Sequence, residues 1–219
     1  MSLPHFVIPY EQLPATLPIF PLPNAIVMPG CHLPLNIFEP RYLELIFDSL
    51  KESRLIGMVQ PEQAEEESSP LYRTGTAGRI VAFNELPDGR LLVVLAGLCR
   101  FDIREELHTG TQYRRAAVDW SRFQEDYATT QADVVFDRAR LMALLRTYFD
   151  RKGYQIDWST VEDMPPALLV NALAGQLPFA SPEKQALVEA VTSEERISRF
   201  IHLLEFDSAG NTLSDATFH

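Results

Sequence analysis

The pattern of apolar residues changes near residue 120, and this change constrains the fold more than any other feature of the sequence. Before it, short apolar runs with β-branched or alternating residues are separated by Pro and Gly. After it, apolar residues recur at the three- and four-residue spacing of amphipathic helices. Strands and helices that occupy separate parts of a chain favour an α+β fold over alternating βαβ units. We therefore expect a β lobe followed by a helical lobe.

The β lobe is predicted to contain a helix inserted among its strands and a tight hairpin. Glu39 and Pro40 predict the start of the helix, because Pro suits the first helical turn. The run 85–90, with Pro, Asp and Gly in succession, predicts a reversal between two strands. The predicted apolar stripe of the helix is Leu43, Ile46, Phe47 and Leu50. Strands are predicted at 17–22, 33–38, 54–60, 76–84, 90–98, 100–107 and 112–119.

The helical lobe is predicted to form a bundle of four helices. The first has a stripe from Val134 to Phe149, and the second begins at Pro165 and Pro166. Ser181 precedes a proline and predicts a third start, and Thr192 begins an S/T-x-x-E capping box. The predicted domains are a Pro-rich segment at 1–16, the β lobe at 17–120, the helical lobe at 128–206 and a frayed tail at 207–219.

Composition argues against several classes of partner. The formal net charge of −11 disfavours nucleic acid, which is normally bound by clustered Lys and Arg. The first residues lack a basic region and are interrupted by prolines, which is untypical of a signal peptide. The longest apolar run, Leu91 to Cys99, is too short for a membrane span. We expect a cytoplasmic protein with no nucleic-acid and no membrane partner.

The sequence offers no supported motif of a catalytic or metal site, because Ser181 and Lys184 match the S-x-x-K pattern without the S-D-N and K-T-G motifs that accompany it in penicillin-recognising enzymes. The five histidines never occur as HExxH or beside a carboxylate at ligand spacing. Cys31 and Cys99 are too far apart for a CxxC knuckle and too few for a disulfide framework. Neither a GxxxxGK[ST] phosphate loop nor a GxSxG nucleophile elbow is present. We expect no catalytic residue, no cofactor and no metal.

Several segments, in order, resemble the amino-terminal substrate-binding domain of Lon proteases. In the β lobe they are LPIFPLP from Leu17, a Pro-Gly turn at Pro29, IFEPRY from Ile37, GTAGRI from Gly75, DGR from Asp88 and GLCRF from Gly97. In the helical lobe the similarity is looser and lies in the helix pair that follows Leu177. The resemblance implies a PUA-like β pseudo-barrel with one inserted helix, followed by a C-terminal α-helical bundle.

The resemblance also implies a binding role. In full-length Lon proteases this domain engages unfolded or tagged polypeptides, and an AAA+ module and a Ser-Lys peptidase domain follow it. Neither module is recognisable here, so we expect an ATP-independent protein that binds polypeptide and is not an enzyme. The alternative is an adaptor that docks onto a separate protease or chaperone and has no client site of its own. The sequence does not indicate an oligomeric state.

Contact with polypeptide is predicted near the Pro-rich loops and the cleft between the lobes. Exposed apolar side chains contribute roughly 25 cal/mol per Å² of buried area without regard to direction, which suits a receptor for many sequences. Core packing is the alternative for each apolar candidate, and an ion pair with Glu39 or Glu44 is the alternative for Arg41. The predicted contact residues are Phe20, Leu22, Pro23, Pro29, His32, Arg41 and Tyr42.

Overall fold

The computed structural model of the protein describes residues 8–63, 69–127 and 136–215, with side chains up to residue 208. The chain divides into two compact units, residues 1–129 and 130–219. The first contains a mixed sheet and one α-helix, and the second contains helices, as the α+β class requires. The strands are β1 (Thr16–Pro21), β2 (His32–Ile37), β3 (Leu55–Val59), β4 (Thr74–Glu85), β5 (Leu91–Leu107) and β6 (Arg114–Asp119). The helices are α1 (Pro40–Lys51), α2 (Arg138–Lys152), α3 (Trp158–Asp163), α4 (Pro166–Gln176), α5 (Ser181–Glu189) and α6 (Ser193–Asp215).

Five of the strands form a closed ring. β1 runs parallel to β3 and antiparallel to β6. β4 pairs with β3 and β5, and the second part of β5 pairs with β6, which closes the ring. β2 pairs with the first part of β5 and lies outside the ring. The expected pseudo-barrel is therefore present, with a three-stranded extension made of β2, β5 and β4.

β5 is one continuous strand of 17 residues where the sequence predicts two. The predicted break fell at Cys99, two residues after Gly97, and glycine often ends regular structure. The structure keeps the backbone extended through Gly97, and the β4 register shifts nearby, between Ala77 and Gly78. The two predicted strands are thus wrong as separate elements, although their residues are correct.

Two apolar cores lie on opposite faces of the β4–β3–β1 part of the sheet. The first includes Leu17, Leu55 and Phe101 from the ring strands. The second packs α1 against alternate residues of the sheet, such as Ile56 and Val93. β3 contributes to both cores, and all five of its residues are buried.

The buried face of α1 overlaps the predicted stripe, since Leu43, Ile46 and Leu50 pack against the core and only Phe47 does not. Tyr42, Leu45, Ile46 and Ser49 are buried, whereas Phe47 is 43% exposed. The sequence leaves the rotation of α1 about its axis ambiguous, because a stripe shifted by one residue corresponds to a rotation of only about 100°. Ser49 is tolerated inside because its hydroxyl donates a hydrogen bond to the Leu45 carbonyl, 2.7 Å away. The prediction that Phe47 faces the sheet was wrong.

The helices of the second unit begin and end largely at the predicted signals. α2 ends at Gly153, which has a left-handed backbone with φ of 68°. The Thr192 hydroxyl accepts a hydrogen bond from the Glu195 amide, 3.1 Å away, at the start of α6. α3 was not predicted from the sequence, and Val134 of the predicted stripe lies outside the described residues. α6 continues to Asp215, beyond the point at which its periodicity fades.

α5 starts one residue earlier than its Ser-Pro signal indicates. Ser181 is the first helical residue, and Ala180 occupies the cap position. The Glu183 carboxylate accepts a hydrogen bond from the Ala180 amide at 2.8 Å, so a side chain of the first turn satisfies this donor in place of a serine cap. Within the residues that the structure describes, no helix is both long and apolar enough to cross a membrane.

Candidate functional site

Two of the seven predicted contact residues lie in the core between α1 and the sheet. The rings of Phe20 and Tyr42 are stacked with their centroids 4.2 Å apart. Their exposed fractions are 4% and 9%. A polypeptide could contact these rings only if they left the core. Their role in binding stays a prediction.

The other five predicted residues are more accessible. Leu22, Pro23 and Pro29 are half-buried, and Leu22 packs against the edge of the core. His32, the first residue of β2, is exposed. Arg41 forms an ion pair with Glu39, which was the alternative interpretation of this residue. The predicted residues thus divide between the core and the surface.

Arg41 interacts with residues on both sides of it in the sequence. Its guanidinium Nη2 lies 2.7 Å from the Glu39 carboxylate. The guanidinium carbon lies 4.5 Å from the centre of the Tyr42 ring. Glu39 makes no side-chain cap at the start of α1, so its carboxylate pairs with Arg41 instead. Both residues of this pair are partly exposed, so it adds little stability.

Gly97 fixes the loop between β1 and β2 against β5. The Gly30 amide donates to the Gly97 carbonyl at 3.0 Å, and the Gly97 amide donates to the Cys31 carbonyl at 2.8 Å. A Cβ at position 97 would lie 2.1 Å from the Met28 carbonyl oxygen. Only glycine allows this approach. The first residue of the GLCRF segment therefore has a structural role.

Arg100 of the same segment is a buried structural cation. Its Nε lies 2.9 Å from Asp126 Oδ2, and its Nη2 lies 2.8 Å from Asp126 Oδ1. Its guanidinium also stacks on Phe123, 4.3 Å from the ring centre. This bidentate geometry compensates the cost of burying both charges. Arg100 therefore contributes to the barrel, and its charge is satisfied within the chain.

One face of the three-stranded extension is exposed and partly apolar, and we call it the outer face. It is the face opposite the α1 core, since Leu35 and Val93 point toward that core. Residues paired directly across antiparallel strands share a face. Its three rows, written in the order β2, β5, β4, are His32–Ala96–Arg79, Pro34–Val94–Ala82 and Asn36–Leu92–Asn84.

The outer face carries apolar residues where a solvent-facing strand would normally be polar. Leu92 is 45% exposed, and Pro34 and Ala82 are also exposed. Val81, the extra residue of a β-bulge, is 51% exposed. An exposed apolar sheet face is typical of a site that binds another chain. The exposure of these residues was not predicted from the sequence. Alternate apolar residues in a strand indicate a buried face, and the sequence does not show which face is covered.

The free edge of β4 adjoins the outer face. The pairing of β3 with β4 reaches no further than Arg79 and Ile80. Beyond that point, among the described residues, β4 pairs with β5 alone up to Glu85. Phe83 lies in this segment and is 50% exposed. On the opposite side of the extension, Pro34 removes a backbone donor from β2, a common protection of edge strands.

A cavity of about 410 Å³ lies beside the first row of the outer face. Ile8 forms part of its wall, and the Ile8 carbonyl accepts a hydrogen bond from the Tyr127 hydroxyl at 3.1 Å. Arg79 and Ala96 belong both to the cavity and to the first row. The described lining residues are Ile8, Arg54, Arg79, Ile80, Val81, Ala96, Gly97 and Leu98.

The described residues contain no cluster of three or more His, Cys, Asp or Glu that could hold a metal ion. Cys99 is fully buried, and burial raises the pKa of its thiol well above the ordinary value. A thiol held protonated in this way is a poor nucleophile.

The sequence matches one family of domains along most of its length. The model described as the ATP-dependent protease La (LON) substrate-binding domain matches residues 16–205. Lon protease 2 of Myxococcus xanthus is 30% identical over 200 residues, which are 89% of this chain and 24% of that protein. Lon protease of Parabacteroides distasonis is 30% identical over 207 residues, with 89% and 24% covered. The chain thus spans about a quarter of the length of these curated relatives.

Solved structures share the fold. The crystal structure of a Lon N-terminal domain protein from Xanthomonas campestris matches with a TM-score of 0.61 and 23% identity, covering 85% of this chain and 97% of that chain. The N-terminal domain of a Mycobacterium avium complex Lon protease matches with a TM-score of 0.61 and 17% identity, covering 87% and 98%. These similarities confirm the expected β domain followed by helices.

Proposed function

Because this chain belongs to the family of LON substrate-binding domains, we propose that it binds unfolded or tagged polypeptides and leaves peptide-bond cleavage to other proteins. The contact surface in this proposal is the outer face of β2, β5 and β4. Its place of action would be the cytoplasm, in association with a protease or a chaperone. The relatives are Lon proteases, whose domain of this type is described as substrate-binding.

The exposed apolar residues of the outer face are the observation that carries the proposal. Leu92, Pro34 and Ala82 are exposed side by side on one sheet face. Covering such a surface contributes roughly 25 cal/mol per Å², and the contribution does not depend on the direction of the bound chain. Affinity of this kind favours unfolded chains, because folded proteins have buried most of their apolar side chains.

The free edge of β4 supports the same proposal through main-chain hydrogen bonds. An extended polypeptide can add a strand to such an edge, and the hydrogen bonds then depend little on its sequence. Phe83 and Val81 lie in or beside the edge and would contact alternate side chains of the added strand. The proposal thus combines apolar burial with backbone pairing.

The predicted contact residues remain part of the proposal where their side chains are accessible. His32 lies in the first row of the outer face. The other four, Leu22, Pro23, Pro29 and Arg41, are half-buried and lie within about ten residues of His32 in the sequence. Phe20 and Tyr42 would act from within the core by holding β1 against α1. His32 and the four half-buried residues are proposed to contact the polypeptide directly.

Equilibrium binding to fluorescently labelled unfolded casein tests the proposal, with a folded protein of similar size as the comparison. We expect saturable binding to casein alone. The double variant Phe83→Ser, Leu92→Ser should bind about 5- to 30-fold more weakly, since each side chain loses part of a transfer free energy of about 1.5–3 kcal/mol. Phe206→Ser removes an apolar side chain that is 73% exposed in the helical unit, and it serves as the matched control.

Two results would contradict the proposal. One is the absence of saturable preference for the unfolded protein. The other is an equal loss of affinity in the control and in the double variant. An affinity purification that recovers one stoichiometric folded partner, without a spectrum of unfolded clients, would favour the adaptor role instead.

A further inference from the structure

Two basic residues differ from all the others in the chain. Lys and Arg number 19 in the sequence, and all of them lie within the described residues. Seventeen have an ion pair or a hydrogen bond of the side chain. Arg54 and Arg79 have neither with any described residue. Both line the cavity beside the outer face.

The backbone holds these two arginines close to each other. Arg79 pairs with Leu55, the residue that follows Arg54. The Arg54 carbonyl accepts a hydrogen bond from the Ile80 amide at 2.9 Å. Arg54 has a left-handed backbone with φ of 60°, uncommon for a residue with a side chain. Two like charges at neighbouring positions repel each other, and an anion between them would relieve this repulsion.

The absence of a partner among the described residues is notable in a protein rich in carboxylates. The chain carries 30 Asp and Glu and a formal net charge of −11. None of the described lining residues of the cavity is acidic. The charge of the cavity is therefore complementary to a carboxylate from another molecule, and Arg is the residue best suited to bind one through two parallel hydrogen bonds.

The remaining walls of the cavity suit an aliphatic side chain. They come mainly from Ile8, Val81 and Leu98. The volume of about 410 Å³ falls within the range of small-ligand pockets, roughly 300–1,000 Å³. The cavity thus combines an apolar interior with two cations. A ligand that satisfies both features must carry its carboxylate a short distance from an apolar group.

We propose that this cavity binds the free carboxyl terminus of a polypeptide whose last residue is apolar. The α-carboxylate lies between Arg54 and Arg79, and the last side chain enters the apolar part. This inference rests on the proposed binding of polypeptides and specifies which end of the polypeptide is recognised. A terminal residue has its carboxylate and its side chain on the same Cα, which matches a compact cavity.

An internal acidic residue fits this cavity less well. Its flanking peptide groups on both sides would enter the apolar region, and each unpaired peptide group costs free energy when it leaves water. A chain terminus brings one peptide group only. The rest of the polypeptide can then continue along the outer face, because Arg79 and Ala96 belong to its first row.

Fluorescence anisotropy with a labelled ten-residue peptide ending in Leu tests the inference. The same peptide with an amidated carboxyl terminus is the first comparison. We expect amidation to weaken binding about 10- to 150-fold, the range of hydrogen bonds to charged groups. Arg54→Gln and Arg79→Gln should each weaken binding of the free acid at least about tenfold and leave binding of the amide unchanged.

Arg104→Gln provides the matched control for the loss of one positive charge. Arg104 is exposed on β5, pairs with Asp119 at 2.7 Å and does not line the cavity. This variant should retain the affinity for the free acid within about twofold, because a distant exposed charge is largely screened at physiological salt. A third peptide is amidated and contains an internal Glu-Leu pair. Its affinity distinguishes recognition of a terminal carboxylate from recognition of a side-chain carboxylate.

Each unfavourable outcome has its own meaning. Equal binding of free acid and amide, with casein binding retained, overturns this inference and leaves the proposed function intact. The inference is also overturned if both Arg variants keep the preference for the free acid, or if the internal Glu-Leu peptide binds as tightly as the free acid. Failure to bind casein and every peptide overturns the proposed function together with this inference.

Discussion

Arg100 and Arg79 lie on adjacent strands of one sheet, and their surroundings are opposite. Arg100 is buried between Asp126 and the ring of Phe123, so its charge is satisfied within the chain. Arg79, together with Arg54, borders a cavity without a carboxylate in its described lining. A charge satisfied within the chain contributes to the fold, whereas an accessible charge with no partner among the described residues is available for an external partner.

Apolar residues show the same contrast between the ring and the extension. Within the ring, Leu17, Leu55 and Phe101 are fully buried. On the extension, Leu92 and Phe83 are about half exposed. The ring supplies stability, and the extension presents surface. Three of the segments that resemble Lon, LPIFPLP, GTAGRI and GLCRF, contribute to the ring, so the resemblance identifies the fold better than it identifies the proposed contact residues.

The largest effect is expected for Asp126→Ala, which leaves the Arg100 charge buried and uncompensated. We expect the free energy of unfolding to fall by about 3–5 kcal/mol, measured by urea denaturation. Glu106→Ala breaks the partly exposed ion pair with Arg114 and should cost less than about 1 kcal/mol. Similar losses in the two variants would remove the distinction between buried and exposed pairs.

A smaller effect is expected for Gly97→Ala, at the junction between the ring and the extension. The added methyl group meets the Met28 carbonyl, which belongs to backbone and cannot rotate away. The expected loss is about 1–3 kcal/mol, typical of overpacking. Gly110→Ala is the control, since no atom lies within 4 Å of a Cβ at that position. Wild-type stability of Gly97→Ala would show that the loop can move away from β5.

The smallest effect on stability is expected for Arg54→Gln and Arg79→Gln. Neither side chain has an ion pair or a hydrogen bond with the described residues to lose, so thermal and urea unfolding should change by less than about 0.5 kcal/mol. This outcome would show that the cavity arginines are dispensable for folding, in contrast to Arg100. If either variant lowers the free energy of unfolding by more than about 2 kcal/mol, that arginine has a structural role like that of Arg100.

The division into strands and helices was predictable because it depends on local signals. Pro40 at the start of α1, the reversal around Gly89 and Gly153 at the end of α2 each leave a trace in the sequence. The continuity of β5 was not predictable, because Gly97 reads as a break when the neighbouring loop is unknown. The exposure of Phe47 was not predictable either, because two phases of α1 fit the same residues.

The proposed contact surface was harder to predict than the fold for a physical reason. Whether Leu92 or Phe20 is exposed depends on which other elements cover it, and this information is distributed over distant parts of the chain. The cavity brings together Ile8, Arg54, Arg79 and Leu98, which no short motif connects. The pairing of β4 with β3 and β5, together with the hydrogen bond from Tyr127 to Ile8, places them side by side.

The uninterrupted course of β5 from the extension into the ring has a consequence for recognition. An isolated ribbon can slip by one residue, and a slip of this size would exchange its two faces. Here the carboxyl-terminal half of β5 is clamped between β4 and β6, so the amino-terminal half cannot slide without breaking the closed ring. The extension is therefore held in one register, and a polypeptide bound to it as proposed would always contact the same rows of side chains.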